Sequence, residues 1–351
     1  MNQFWTETVR RLSPYVPGEQ RHGDDIVKLN TNENPWPPSA KVLAAITAVD
    51  GDALRRYPDP ESTGLCTVLA KHHRLESEQV FVGNGSDEIL ALAFLAYFTD
   101  GQGLQYPAIS YSFYPVYCDL YGIEKRPVEM GDQFLLELEK FKVNQGGIVF
   151  PNPNAPTSRA VSRANIESLL RRHTQQVVLV DEAYADFGAE SVIPMINDYP
   201  NLLVCHTFSK GRSLAGLRLG VAYGDAGLIE GLRRVKNSFN SYPVDALAQQ
   251  AGIASIQDND YYQQTVAKII ATREWLVTEL EQRQFSVLPS AANFIFVSPS
   301  GSALELFNRL NKAAILVRYW PDSPIDQWLR ISIGTEADMQ RLLKVVDDEP
   351  G

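Results

Sequence analysis

The sequence predicts an α/β protein: a large domain over about residues 41–245 built on a mostly parallel sheet, then a smaller α+β domain over 246–351. Three observations carry this prediction. Short apolar runs alternate with helix-length stretches through the large domain, the pattern of strands joined by crossover helices. Several runs, such as Val177-Val178-Leu179-Val180, show no polar alternation, so both faces are expected under helices. Almost every run ends in a polar cluster, and in an open parallel sheet ligands bind beyond the carboxyl ends of the strands.

Residues 1–40 are polar and proline-rich and end in Asn32-Glu33-Asn34-Pro35-Trp36-Pro37-Pro38. They read as an irregular arm with one short amphipathic helix, belonging in part to the small domain. The strands of the large domain are expected at Val80-Phe81-Val82, Gly103-Leu104-Gln105, Ile148-Val149-Phe150, Val177–Val180, Leu202-Leu203-Val204 and Leu219–Ala222. From 246 a long helical stretch precedes Asn293–Val297, Ile315–Arg318 and Trp328–Ser332, the expected strands of the small domain.

With 44% hydrophobic and 21% charged residues over 351 positions, disordered and fibrous classes are excluded and a large core is affordable. Cys66, Cys118 and Cys205 are odd in number and scattered, without a C-x-x-C pair, and the five histidines show no H-E-x-x-H or H-x-H. Neither a disulfide framework nor a metal site is expected, and a reducing cytoplasm fits best. A net charge of −10 argues against a nucleic-acid partner. A few arginines in a cleft still suffice to receive a small anion. The first residues lack a signal-peptide pattern and no apolar run reaches the roughly 18 residues of a membrane span, so no membrane association is expected.

The polar clusters carry the chemistry. Gly83-Asn84-Gly85-Ser86-Asp87-Glu88 followed by an apolar stretch reads as strand, glycine turn and helix, whose first N–H groups cradle a phosphate; it is equally the sequence of a plain helix cap. It is not a dinucleotide fingerprint, since Glu88 stands where the third glycine belongs. Thr207-Phe208-Ser209-Lys210 ends a buried strand, with Arg218 eight residues on. A lysine at such an edge loses solvation, which lowers its pKa and suits it to a Schiff base, unless it is simply a solvated strand end. Asp181-Glu182-Ala183-Tyr184 closes another strand. A carboxylate there calls for a cation, and a pyridinium nitrogen would serve; a helix cap or loop ion pair is the simpler reading of Asp181 alone. The ordered conjunction of all these residues on one sheet edge is what singles out pyridoxal phosphate chemistry.

Together the residues resemble the fold-type-I pyridoxal-phosphate aminotransferases, and among them the histidinol-phosphate aminotransferases. The resemblance rests on Leu29-Asn30-Thr31-Asn32-Glu33-Asn34-Pro35, Arg56-Tyr57-Pro58-Asp59, Gly85-Ser86-Asp87-Glu88, Tyr111-Ser112-Phe113-Tyr114, Asp181–Tyr184 and Ser209-Lys210 through Arg218, and extends over nearly the whole chain. It implies that Lys210 forms the Schiff base with pyridoxal 5'-phosphate and shuttles the proton at the substrate Cα. Asp181 would pair with the ring nitrogen, Tyr184 would bond O3′ and Tyr111 would stack on the ring. Gly85, Ser86 and Asp87 at the helix start, with Thr207, Ser209 and Arg218, would complete the cofactor site around the phosphate. Tyr57 would reach the cofactor of a second subunit, which implies a homodimer with shared sites. Arg330 would bind the substrate anion, with Tyr15 and Arg318 as helpers. One position departs from the family. Where its members show an asparagine on O3′ within N-P-T-G, this chain has Ala155, with Ser158 in place of the glycine. Asn154 is the expected substitute through a small shift of the loop; without that shift a one-residue offset points it to the wrong face.

The implied reaction moves the amino group of L-histidinol phosphate to 2-oxoglutarate, giving imidazole-acetol phosphate and L-glutamate, a step of histidine biosynthesis. An aromatic amino acid aminotransferase and a threonine-phosphate decarboxylase are alternatives on the same scaffold. A ligand-sensing module is a further alternative, for which loss of Lys210 would have been the mark.

Overall fold

The structure, a computed structural model, describes residues 3–348 apart from 17, 22 and 24. The arm contributes β1 (Val27–Lys28). A seven-stranded sheet follows, made of β2 (Val80–Asn84), β3 (Leu104–Pro107), β4 (Lys125–Val128), β5 (Gly147–Pro151), β6 (Val178–Asp181), β7 (Leu202–Thr207) and β8 (Leu219–Gly224). Its order is β2-β8-β7-β6-β5-β3-β4. Only β8 runs against its neighbours, so the sheet is mostly parallel, as the alternating pattern requires. The unbroken apolar runs have a simple cause: alternate residues enter two different cores. Ile148, Phe150, Val178, Val180, Leu202 and Val204 pack on one face, and Val149, Leu179, Leu203 and Cys205 on the other. Both faces are dry, so the strands stay apolar until their carboxyl ends, where Asp181, His206 and Thr207 stand.

The edge strand β4 has no apolar run to announce it. Lys125-Arg126-Pro127-Val128 buries only Val128, and a proline is tolerated where one side of the strand needs no partner. The run at Ile315–Arg318 is also not one strand. β11 (Ile315–Leu316) pairs in parallel with β1, and β12 (Arg318–Tyr319) turns to the small antiparallel sheet. That sheet has the order β12-β13-β10-β9, with β9 (Ser286–Val287), β10 (Phe294–Ser298) and β13 (Leu329–Ser332). Its core joins Ile295, Val297, Leu329 and Ile331 to Leu306, Leu310, Leu342 and the arm residues Val27 and Leu29. The helix Ala246–Gln257 sends Ala248, Ala251 and Ile256 into the core of the large sheet instead. The next helix, Asn259–Gln282, sends Val266, Ile269, Leu276 and Leu280 into the small-domain core, so we propose that the two domains divide between these helices and not at 246.

The reversed β8 is what assembles the site. Its first residues lie at the edge where the parallel strands finish, with Gly220 opposite both Gly83 and Thr207. Arg218 thus comes to the ends of β2 and β7. The approach is close: a Cβ on Gly220 would stand 2.4 Å from the carbonyl carbon of Gly85, so only glycine fits.

Candidate active site

A cavity of about 420 Å³ opens at this sheet edge, within the usual size of a small-molecule site. The ends of the large sheet, the arm and the small domain all line it.

Lys210 follows the end of β7, partly buried, and its Nζ donates to the Thr31 carbonyl at 2.9 Å. Burial, with the nearby Arg330 charge, lowers its pKa to about 8, although Glu33 and Asp87 pull the other way. A useful fraction of the amine is therefore neutral near pH 7. Asp181 ends β6 and is buried. Its carboxylate accepts the Tyr114 hydroxyl at 3.1 Å and the Ala183 N–H at 3.1 Å, and it forms no ion pair among the described residues. Burial pushes its pKa up to about 6.

The helix Gly85–Tyr97 begins at the cavity, with Ser86 and Asp87 of its first turn in the lining. Gly85 has φ +80°, and a Cβ there would lie 2.6 Å from Arg218 Nη2, so the glycine is needed for both backbone and contact. Thr207, Ser209 and Arg218 line the cavity too. Asp87 braces two of the neighbours: one carboxylate oxygen meets Arg218 Nη2 at 3.1 Å and the other accepts the Tyr111 hydroxyl at 2.8 Å. Tyr184 stands edge-on to Phe294, ring centroids 4.9 Å apart, and its oxygen accepts a hydrogen bond from Asn32 Nδ2 at 3.0 Å.

The small domain supplies positive charge. Arg318 and Arg330 face each other directly across β12 and β13. Each guanidinium lies 5.5 Å from the centre of the Trp320 ring, and Arg330 also lies over Phe294 at 5.3 Å. Arg330 Nη2 donates to the Asn30 carbonyl at 2.7 Å, while its buried Nε finds no partner among the described residues. Neither arginine pairs with a carboxylate among the described residues. Like charges placed opposite each other in a sheet are unfavourable unless an anion offsets them. Tyr15 lines the same cavity, stacked on Phe113 with centroids 4.4 Å apart.

Three expected site residues do not line the cavity: Gly85, which sets the helix start against Arg218, Tyr57 and Asn154. Tyr57 is 81% exposed and stacks on Tyr242 at the surface, centroids 4.6 Å apart. Asn154 is the clear correction. The loop does not shift: Asn154 is buried behind the cavity wall, with Nδ2 donating to the Ile109 carbonyl at 3.0 Å and to Thr157 Oγ1 at 2.8 Å, while Ala155 and Pro156 face the cavity. The one-residue offset decides its direction.

The sequence pattern of the family "Aminotransferase class I and II" matches residues 24–346. The chain belongs to that family. It is 51% identical over 349 residues to "Histidinol-phosphate aminotransferase 1" of Hydrogenovibrio crunogenus, covering 99% of this chain and 98% of the relative. It is 50% identical over 348 residues to the histidinol-phosphate aminotransferase of Acinetobacter baylyi, covering 98% and 96%. The crystal structure of histidinol-phosphate aminotransferase from Sinorhizobium meliloti in complex with pyridoxal-5'-phosphate has the same fold, with a TM-score of 0.88, 24% identity and coverage of 98% and 96%.

Among the residues that line the cavity of this aminotransferase and to which the sequence assigned no role, Trp320 and Asn32 make the most telling contacts. Trp320 lies two positions after Arg318, and the period of a strand places it on the same face. Asn32 stands in the Leu29–Pro35 segment that carries the resemblance, but its role was not legible, because its partners Tyr184, Ser332 and Asn293 are all distant in sequence.

Proposed function

We propose that this aminotransferase converts L-histidinol phosphate and 2-oxoglutarate to imidazole-acetol phosphate and L-glutamate with pyridoxal phosphate as cofactor. The names of the half-identical relatives support the substrate. The observation that carries it within the molecule is the pair of opposed arginines, Arg318 and Arg330, unpaired with any carboxylate among the described residues, in the lining of the cavity that also holds Lys210.

The residues fit the cofactor. Asp181 is a buried carboxylate that pairs with no cation among the described residues, Gly85 and Gly220 leave space at the helix start where any Cβ would intrude, and hydroxyls and a guanidinium converge there. When bound, pyridoxal phosphate supplies an electron sink for the pair left behind when the substrate Cα loses its proton. Asp181 would keep the ring nitrogen protonated. Tyr184 would donate to O3′, and Tyr111, anchored by Asp87, would flank the ring. Ser86, Thr207, Ser209, Arg218 and the first N–H groups of the helix would hold the phosphate. Lys210, with its lowered pKa, would take the proton from the substrate Cα and deliver it on the same face. Arg318 and Arg330 would bind the substrate phosphate in one half-reaction and a carboxylate of glutamate in the other, as guanidinium forks serve both.

The exposed Tyr57–Tyr242 stack supports a homodimer in which each copy reaches toward the other's site. Free, buried thiols at Cys66, Cys118 and Cys205 support a reducing, cytoplasmic setting. No helix among the described residues is long and apolar enough to cross a membrane. Lys210→Ala tests the core of the proposal: it is expected to lose turnover and the covalent attachment of coenzyme by borohydride, and a variant that still transaminates would refute the assignment.

A further inference from the structure

We propose that Asn32 is a positioning residue that makes Tyr184 a one-way hydrogen-bond donor into the cavity. The inference rests on the cofactor reading above, in which Tyr184 meets O3′.

Asn32 is buried and holds a left-handed backbone, φ +56°, which asparagine adopts more readily than most residues. All four of its polar groups are engaged. Its N–H donates to Ser332 Oγ at 2.9 Å, and its carbonyl accepts Asn293 Nδ2 at 2.9 Å. Its Oδ1 accepts the Ser332 hydroxyl at 2.8 Å, and its Nδ2 donates to the Tyr184 oxygen at 3.0 Å.

Ser332 fixes the direction. It is itself buried, and its single proton goes to Asn32 Oδ1. Turning the amide over would place two donors on Ser332 Oγ and leave that proton without an acceptor, which is costly in a buried site. The amide nitrogen therefore faces Tyr184. A phenol oxygen that accepts from an amide keeps its own proton for another partner, and Tyr184 donates to no acceptor among the described residues. The remaining direction is the cavity that Tyr184 lines. Ala155 on the same wall has no side-chain proton to give, so the duty falls on Tyr184.

The test measures binding of 4-deoxypyridoxine 5′-phosphate, which keeps the ring, phosphate and 3-hydroxyl but cannot link to lysine, to cofactor-free protein. It also follows the pH midpoint of the visible coenzyme band in the pyridoxal phosphate enzyme. Asn32→Ala and Tyr184→Phe are each expected to weaken analogue binding about 3- to 10-fold and to raise the midpoint by about half to one pH unit. Asn32→Ala in the Tyr184→Phe background is expected to add nothing further, a result that a merely structural role would not produce. Unchanged binding and midpoint in Asn32→Ala, or an effect that adds in full to Tyr184→Phe, overturns the proposal. Should Asn32→Ala fail to fold, Asn32→Asp decides. Its carboxylate would take the Tyr184 proton and reverse the donor, so it must behave like Tyr184→Phe, and a wild-type midpoint there overturns the idea. Wild-type protein that binds neither the analogue nor pyridoxal phosphate refutes the cofactor reading itself, and this proposal with it.

Discussion

Lys210 offers the sharpest quantitative prediction, because its amine must be neutral to react. Its pKa falls from the ordinary 10.5 to about 8 through burial first and the Arg330 charge second. At pH 7 a group with pKa 8 is neutral in about one molecule in eleven, and one with pKa 10.5 in about one in three thousand, a gain of about 300-fold. Competitive labelling of the cofactor-free protein with acetic anhydride, read by peptide mass spectrometry from pH 6 to 11, measures this directly. The exposed Lys71 serves as internal reference. Acetylation of Lys210 is expected to level off above about pH 8. Arg330→Gln should move the midpoint up, and Glu33→Gln should move it down, since the Glu33 carboxylate favours the charged amine. The same shift sets a sign for stability. Between about pH 8 and 10.5 the unfolded chain binds the proton that the folded chain has lost, so the cofactor-free protein gains stability across that window as pH rises. A labelling midpoint at or above pH 10 would refute the reasoning.

Three further outcomes follow from the site. Asp181, with a folded pKa raised from 3.8 to about 6 by burial, makes the cofactor-free protein lose stability as pH rises through that interval, on the order of 3 kcal/mol in all. Asp181→Asn should flatten this part of the denaturation profile while lowering transaminase activity by about 100-fold or more, assuming the usual weight of such a charge pair. Gly220→Ala, whose methyl would stand 2.4 Å from the Gly85 carbonyl carbon, should cost about 1–3 kcal/mol in denaturant titration and weaken cofactor binding through the displaced helix start. Arg318→Gln should raise KM for L-histidinol phosphate about 10-fold or more while changing KM less for L-histidinol, which lacks the phosphate, because losing one charge-assisted contact costs about 1.5–3 kcal/mol. Equal effects on both substrates would contradict the role given to the arginine pair.

Much of the site was legible because its residues punctuate the strands. Asp181 and Lys210 each follow an apolar run that can only be a strand dry on both faces, and neighbouring parallel strands finish at the same edge. Arg218 was legible through its spacing from Lys210, although only the reversal of β8 explains how it arrives there. What stayed hidden depends on pairing between distant segments. The facing of Arg318 and Arg330 is a matter of register between two strands, and the division of Ile315–Arg318 between two sheets depends on where β1 lies. Strand β4 escaped because an edge strand half in water carries no apolar run. Asn154 was misread for a local reason: in extended chain, one position is the difference between the cavity and the core behind it.

The central claim is that one cavity performs amino transfer on a phosphorylated amino alcohol. An absorbance titration of the pyridoxal phosphate enzyme with L-histidinol phosphate, run beside L-phenylalanine and O-phospho-L-threonine, tests it most directly. The visible coenzyme band is expected to convert to the pyridoxamine phosphate form with L-histidinol phosphate at far lower concentration than with the other two. A stronger response to L-phenylalanine, or release of carbon dioxide from O-phospho-L-threonine without amino transfer, would contradict it.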